Sequence, residues 1–92
     1  MKKIQRRDKM KIYGDLLMIL RAESGNEKIV ITRIQMKINV PFTRLKKYLS
    51  DLAELGLIED EESLKVTEKG KQYLDEYEAV LAFMKRMGMS YK

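Results

Sequence analysis

Residues 39–49 read "NVPFTRLKKYL" and contain the chain's only proline, Pro41. A residue preceding proline is pushed out of the α region, and proline itself suits the first turn of a new helix. The stretch therefore ends one segment and starts another, predicted as a helix from about 41 to 55. Taking Leu45 as the centre of its buried face, steps of 100° place Tyr48, Leu49, Leu52, Ala53 and Leu55 on the same side. Thr43, Lys46, Lys47, Ser50 and Glu54 fall opposite, and Gly56 suits the position just past the helix end. The cations Arg44, Lys46 and Lys47 cluster in the first half, while Asp51 and Glu54 hold the second. Cations near a helix N-terminus oppose the macrodipole, so helix stability does not explain them.

Working upstream, "RIQMKI" at 33–38 reads as a short helix with Thr32 as N-cap and Ile34 and Ile38 turned inward at i, i+4. "KIVI" at 28–31 is a β-branched run, long enough for one strand rung or an extended connector. "KMKIYGDLLMILRAE" at 9–23 has helical spacing with one broad apolar face. Asp8 is its candidate N-cap, and "SGNE" at 24–27 is a turn signal. Gly14 is a weak point there, since a mid-helix glycine costs about 1 kcal/mol against alanine. Residues 1–7, "MKKIQRR", are a basic arm or the start of this helix. Downstream, Leu57 and Ile58, an acidic turn at 60–63 and "LKVT" predict a hairpin. Thr67 then caps a long helix with Gly70 in its first turn.

The chain has 92 residues, which suggests one domain with a modest core. It contains neither cysteine nor histidine. Thiolate metal sites, disulfides and histidine-based catalysis are thereby excluded, and no phosphate-cradling or nucleophile motif is present. Nothing in the sequence calls for a cofactor. No apolar run approaches a membrane span, and the basic N-terminus lacks the apolar stretch of a signal peptide, so a soluble, cytoplasmic protein is expected. The net charge of +5 is uneven. Residues 1–47 hold 13 basic and 4 acidic side chains, and residues 48–92 hold 6 and 10. One end of the molecule thus suits an anionic partner.

Two helices joined by a proline-containing turn, followed by a two-stranded ribbon, make a winged helix-turn-helix plan: mainly α, with a small β-hairpin. The expected organisation is a winged-helix DNA-binding domain over residues 1–67, continuous with a C-terminal coiled-coil dimerisation helix over 68–92. "TRIQMKINVPFTRLKKYLSDLAELGLI" and "LKVTEKGKQYLDEY" resemble the small archaeal winged-helix DNA-binding proteins, including the chromatin-associated "10a" type. The resemblance covers roughly residues 8–85. It implies a homodimer joined through antiparallel C-terminal helices. It also places Thr43, Arg44, Lys46 and Lys47 on the recognition helix and Lys65 on the wing.

Each charge cluster has a bland reading beside the functional one. The cations of the proline-started helix could form only a solvated face, but their position in the first half and the fold favour DNA. Ser50 also lies on that face, and Arg44 could fork onto a guanine edge. No Asn or Gln stands there, so phosphate contacts and modest sequence preference are expected. Arg33 and Lys37 on the preceding helix are candidate backbone clamps. Lys2, Lys3, Arg6, Arg7, Lys9 and Lys11 are either a solubilising tail or a phosphate track. Glu59, Asp60, Glu61 and Glu62 make the wing acidic, leaving Lys65 as its one useful cation.

The last helix repeats Tyr73, Tyr77, Val80, Met84 and Met87 at 4-3-4-3 spacing, with Leu74 and Leu81 widening the stripe. Its first half suffices to cover the core, so the remaining turns predict a dimer interface. A peptide or a small apolar ligand is the other occupant of such a stripe. The expected function is double-stranded DNA binding by a nucleoid-associated homodimer, either a transcription regulator or an architectural chromatin protein. The rival is a winged helix used for protein–protein contact, and RNA binding is a third idea.

Overall fold

The computed structural model describes residues 9–24 and 29–89. The basic arm, the Asp8 cap, most of the turn at 24–27 and Lys28 lie outside the described residues. Four helices follow in order: α1 (Lys9–Glu23), α2 (Ile31–Ile38), α3 (Phe42–Glu54) and α4 (Glu68–Arg86). α1 packs on α2 and α4, and supplies Ile12, Tyr13, Leu16, Leu17 and Leu20 to the core. Ile34 and Ile38, Leu45, Leu49 and Leu52, and Leu74 close around it. Gly14 marks the place where α4 crosses α1: a Cβ there would stand 2.5 Å from the Tyr77 ring. The glycine that weakens the helix as a helix is what lets the two helices meet.

α2 begins earlier than expected. Its N-cap is Val30, extended and without a side-chain cap, and Thr32 lies inside the first turn. The Val30 carbonyl accepts from the Arg33 and Ile34 N–H groups. Ile29 and Val30 form no strand. Starting at Ile31 lets that side chain pack against the core in line with Ile34 and Ile38. Burial of aliphatic surface there outweighs a cap worth about 1 kcal/mol. The break comes at Asn39, which takes a left-handed conformation (φ 61°) and donates its N–H to the Gln35 carbonyl. Asparagine tolerates that conformation better than most residues. Pro41 then stands as the N-cap of α3, one position before the first helical residue.

α3 ends in a Schellman closure. The Gly56 N–H (φ +79°) donates to the Ala53 carbonyl at 3.1 Å, and the Leu57 N–H to the Leu52 carbonyl at 2.9 Å. Leu52 and Leu57 are both buried by it. Leu55, expected on the buried side, is 47% exposed instead. It is the C-cap residue, and the closure fills the core with its neighbours.

The predicted hairpin is not formed. Among the described residues the β-structure is a single antiparallel bridge, Ile58 to Val66, flanked by bonds from the Glu59 N–H to the Lys65 carbonyl and from the Thr67 N–H to the Leu57 carbonyl. Leu64 stops the ladder. It adopts φ 57° and turns its side chain into the core, leaving 2% exposed. Asp60 shapes the turn by accepting the Ser63 and Glu62 N–H groups at 2.7 and 2.8 Å. Those bonds hold its carboxyl below the ordinary value, Ser63 contributing most.

α4 is fastened to the end of α3. The Thr67 hydroxyl accepts the Gly70 N–H at 3.1 Å and donates to the Gly56 carbonyl at 2.6 Å. Lys69 Nζ donates to the Leu55 carbonyl at 2.8 Å, a cation at a helix C-terminus. Tyrosines brace the other faces. Tyr13 packs edge-on against Tyr48 and donates to Asp51 at 2.8 Å. Burial, then the bond to Asp51, pushes the Tyr13 hydroxyl up to about 12. Among the described residues no helix is long and apolar enough to cross a membrane.

Candidate nucleic-acid interface

α3 is held by Leu45, Tyr48, Leu49 and Leu52, which fixes its opposite face outward. Thr43, Arg44, Lys46, Lys47 and Ser50 are all exposed on it. Among the described residues none of its three cations forms an ion pair with an acidic side chain. The Lys46 ammonium lies 5.8 Å from the centroid of the Phe42 ring, one turn back. Asp51, the nearest acid on the helix, is engaged by Tyr13.

Arg33 and Lys37 of α2 are differently placed. Both reach one carboxylate, Glu23, at 3.7 Å (Arg33) and 2.7 Å (Lys37). Glu23 is 3% exposed, whereas the two cations keep about half of their side-chain surface. Sequence reasoning passed over Glu23. A signal was available, since an acid in the last turn of a helix opposes the macrodipole as a cation does in the first.

Lys65 does not line the groove beside α3. It lines a separate cleft with Arg21, Ile29 and Lys71. The acidic turn does come close: Glu61 and Glu62 border a groove shared with Ile31, Phe42, Lys46 and Leu49. Carboxylates thus stand along one edge of the basic face.

The stripe on α4 divides at Tyr77. Tyr77 is 2% exposed and donates to Asp15 at 3.1 Å. Tyr73 is half-buried and donates to the Met10 carbonyl at 2.7 Å. The fold of a single chain therefore employs both tyrosines. Beyond them Val80, Phe83 and Met87 are exposed, and Leu81 and Met84 are partly so. Among the described residues no group of acidic side chains could hold a metal ion.

A sequence model of the winged helix-turn-helix matches residues 6–85. The chain belongs to the winged helix-turn-helix family. In winged-helix terms α2, the Asn39–Val40–Pro41 turn and α3 are the helix-turn-helix, and the Ile58–Val66 bridge is a wing reduced to one rung. Membership supports DNA binding in general, by a domain type that is typically not an enzyme. Neither a curated protein nor a solved structure matches this winged-helix chain.

Proposed function

We propose that this protein binds double-stranded DNA as a homodimer, with α3 in the major groove. It acts as a transcription regulator or, like the small archaeal chromatin proteins it resembles, as a nucleoid-associated architectural protein. The observation that carries the reading is the exposed set Arg44, Lys46 and Lys47 on the first turns of α3, none of which forms an ion pair with an acid of the described residues. Such cations gain most from phosphates, whose counterions they release. The test is a fluorescence titration of unrelated duplexes at several salt concentrations. Lys46→Ala and Lys47→Ala should each weaken binding similarly on every sequence and flatten the log–log salt slope by about 0.9. Absence of duplex binding by the unaltered protein would instead favour a protein-contact role, for which the carboxylates beside Phe42 speak.

Support for pairing comes from the apolar turns of α4 after Tyr77 and from its charges. Asp75, Glu76 and Glu78 precede those turns and Lys85 and Arg86 follow them. Two such helices laid antiparallel about Val80–Leu81 set acids against bases, whereas a parallel pair sets like against like. Val80→Glu with Met84→Glu should convert a micromolar dimer into a monomer by sedimentation. A dimer of unchanged strength in that variant refutes pairing through α4.

A further inference from the structure

We infer that Phe42 is a base-reading residue, placed to take the C5-methyl group of thymine. The inference rests on the DNA-binding reading above and adds a specificity element to it. Phe42 is the first residue of α3 and is 43% exposed. Helical Cα–Cβ bonds tilt toward the N-terminus, so the side chain of a first residue reaches toward the tip of its helix. In helix-turn-helix domains the N-terminal residues of this helix meet base edges. Pro41, with φ −61°, fixes the direction in which the chain enters.

The ring is also tied to a cation that meets the duplex. Lys46 sits 5.8 Å from its centroid, so wherever Lys46 finds a phosphate or base the ring lies within about one side-chain length of it. The groove beside the ring holds about 370 Å³, with Ile31 and Leu49 as its other apolar walls. Glu61 and Glu62 also line it. Those carboxylates disfavour a phosphate in the groove but leave a neutral apolar group undisturbed. On a polyanion the apolar group offered in the major groove is the thymine methyl, the feature that separates A·T from G·C by hydrophobic contact.

The test compares one A·T-rich duplex with its counterpart in which uracil replaces every thymine. Base pairing is retained and only the methyl groups are lost. The unaltered protein should bind the thymine duplex roughly fourfold more tightly for each methyl buried, the factor equivalent to one buried carbon group. Phe42→Ala should bind both duplexes alike, with its melting temperature close to that of the unaltered protein. Equal binding of the two duplexes by the unaltered protein overturns the inference. So does a preference that survives intact in Phe42→Ala, because it then originates in duplex shape. Binding to neither duplex is a different failure, that of the DNA-binding reading itself.

Discussion

Gly70→Ala is expected to destabilise the fold by about 2 kcal/mol, within the range for forcing extra atoms into a packed site. Helix propensity alone gives the opposite sign, since alanine exceeds glycine by about 1 kcal/mol inside a helix. The reversal comes from what surrounds the residue. Gly70 is buried in the first turn of α4, and a Cβ there would overlap the Leu57 carbonyl oxygen and stand 2.6 Å from Val66 Cγ1. The carbonyl cannot withdraw easily, because it also accepts the Thr67 N–H beside the single bridge. Relief would have to come from moving α4 away from α3, at the cost of the Thr67 and Lys69 bonds. A domain of this length has total stability on the order of 5–14 kcal/mol, so the loss should lower the melting temperature by roughly 10 °C. Urea unfolding and calorimetry read it directly. An unchanged or raised melting temperature would mean that α4 does not pack on the Leu57 carbonyl.

The second large effect is on affinity. Glu23→Gln should raise duplex affinity about tenfold at low salt and steepen the log–log salt slope by about 0.9. Glu23 holds Lys37 at 2.7 Å and Arg33 at 3.7 Å, so these two cations share one buried negative charge. Removing that charge while keeping the shape of the side chain makes one more positive charge available to phosphate. The gain should fade as salt shortens the Debye length. Fold stability should decrease, by roughly 1 kcal/mol, since a charge-assisted bond to a half-exposed lysine is lost. Lower affinity would show instead that Glu23 aims the cations and that aim outweighs charge. Unchanged affinity would place α2 away from the duplex.

Much of the fold was legible because helical periodicity is a local signal. Leu45, Tyr48, Leu49 and Leu52 announce the buried face of α3, and Pro41 and Gly56 announce its limits. What was not legible depends on partners distant in sequence. Gly14 reads as a flaw until Tyr77, 63 residues on, is laid over it. Leu64 reads as a strand residue, and only the core's demand for its side chain explains the left-handed backbone that ends the ladder. At the candidate interface the exposed cations of α3 follow from spacing alone. The engagement of Arg33 and Lys37 by Glu23 does not, since it joins two helices across a turn. The cleft that Lys65 lines with Arg21 of α1 and Lys71 of α4 likewise depends on residues distant in sequence.

The fastening of α4 to α3 has a mechanical consequence. Thr67, Lys69 and Gly70 fasten the start of α4 to the carbonyls of Leu55, Gly56 and Leu57, which immediately follow α3, so a shift of α4 pulls on the end of α3. In the proposed dimer these bonds would couple the pairing segment of α4 to the DNA-facing segment α3. The separation and relative rotation of the two proposed DNA-contacting ends would then follow from the length of α4, at 1.5 Å and 100° per residue. Such a dimer would work as a gauge, discriminating between duplexes by the distance and phase between two contact points along the helix axis, even where no individual base is read.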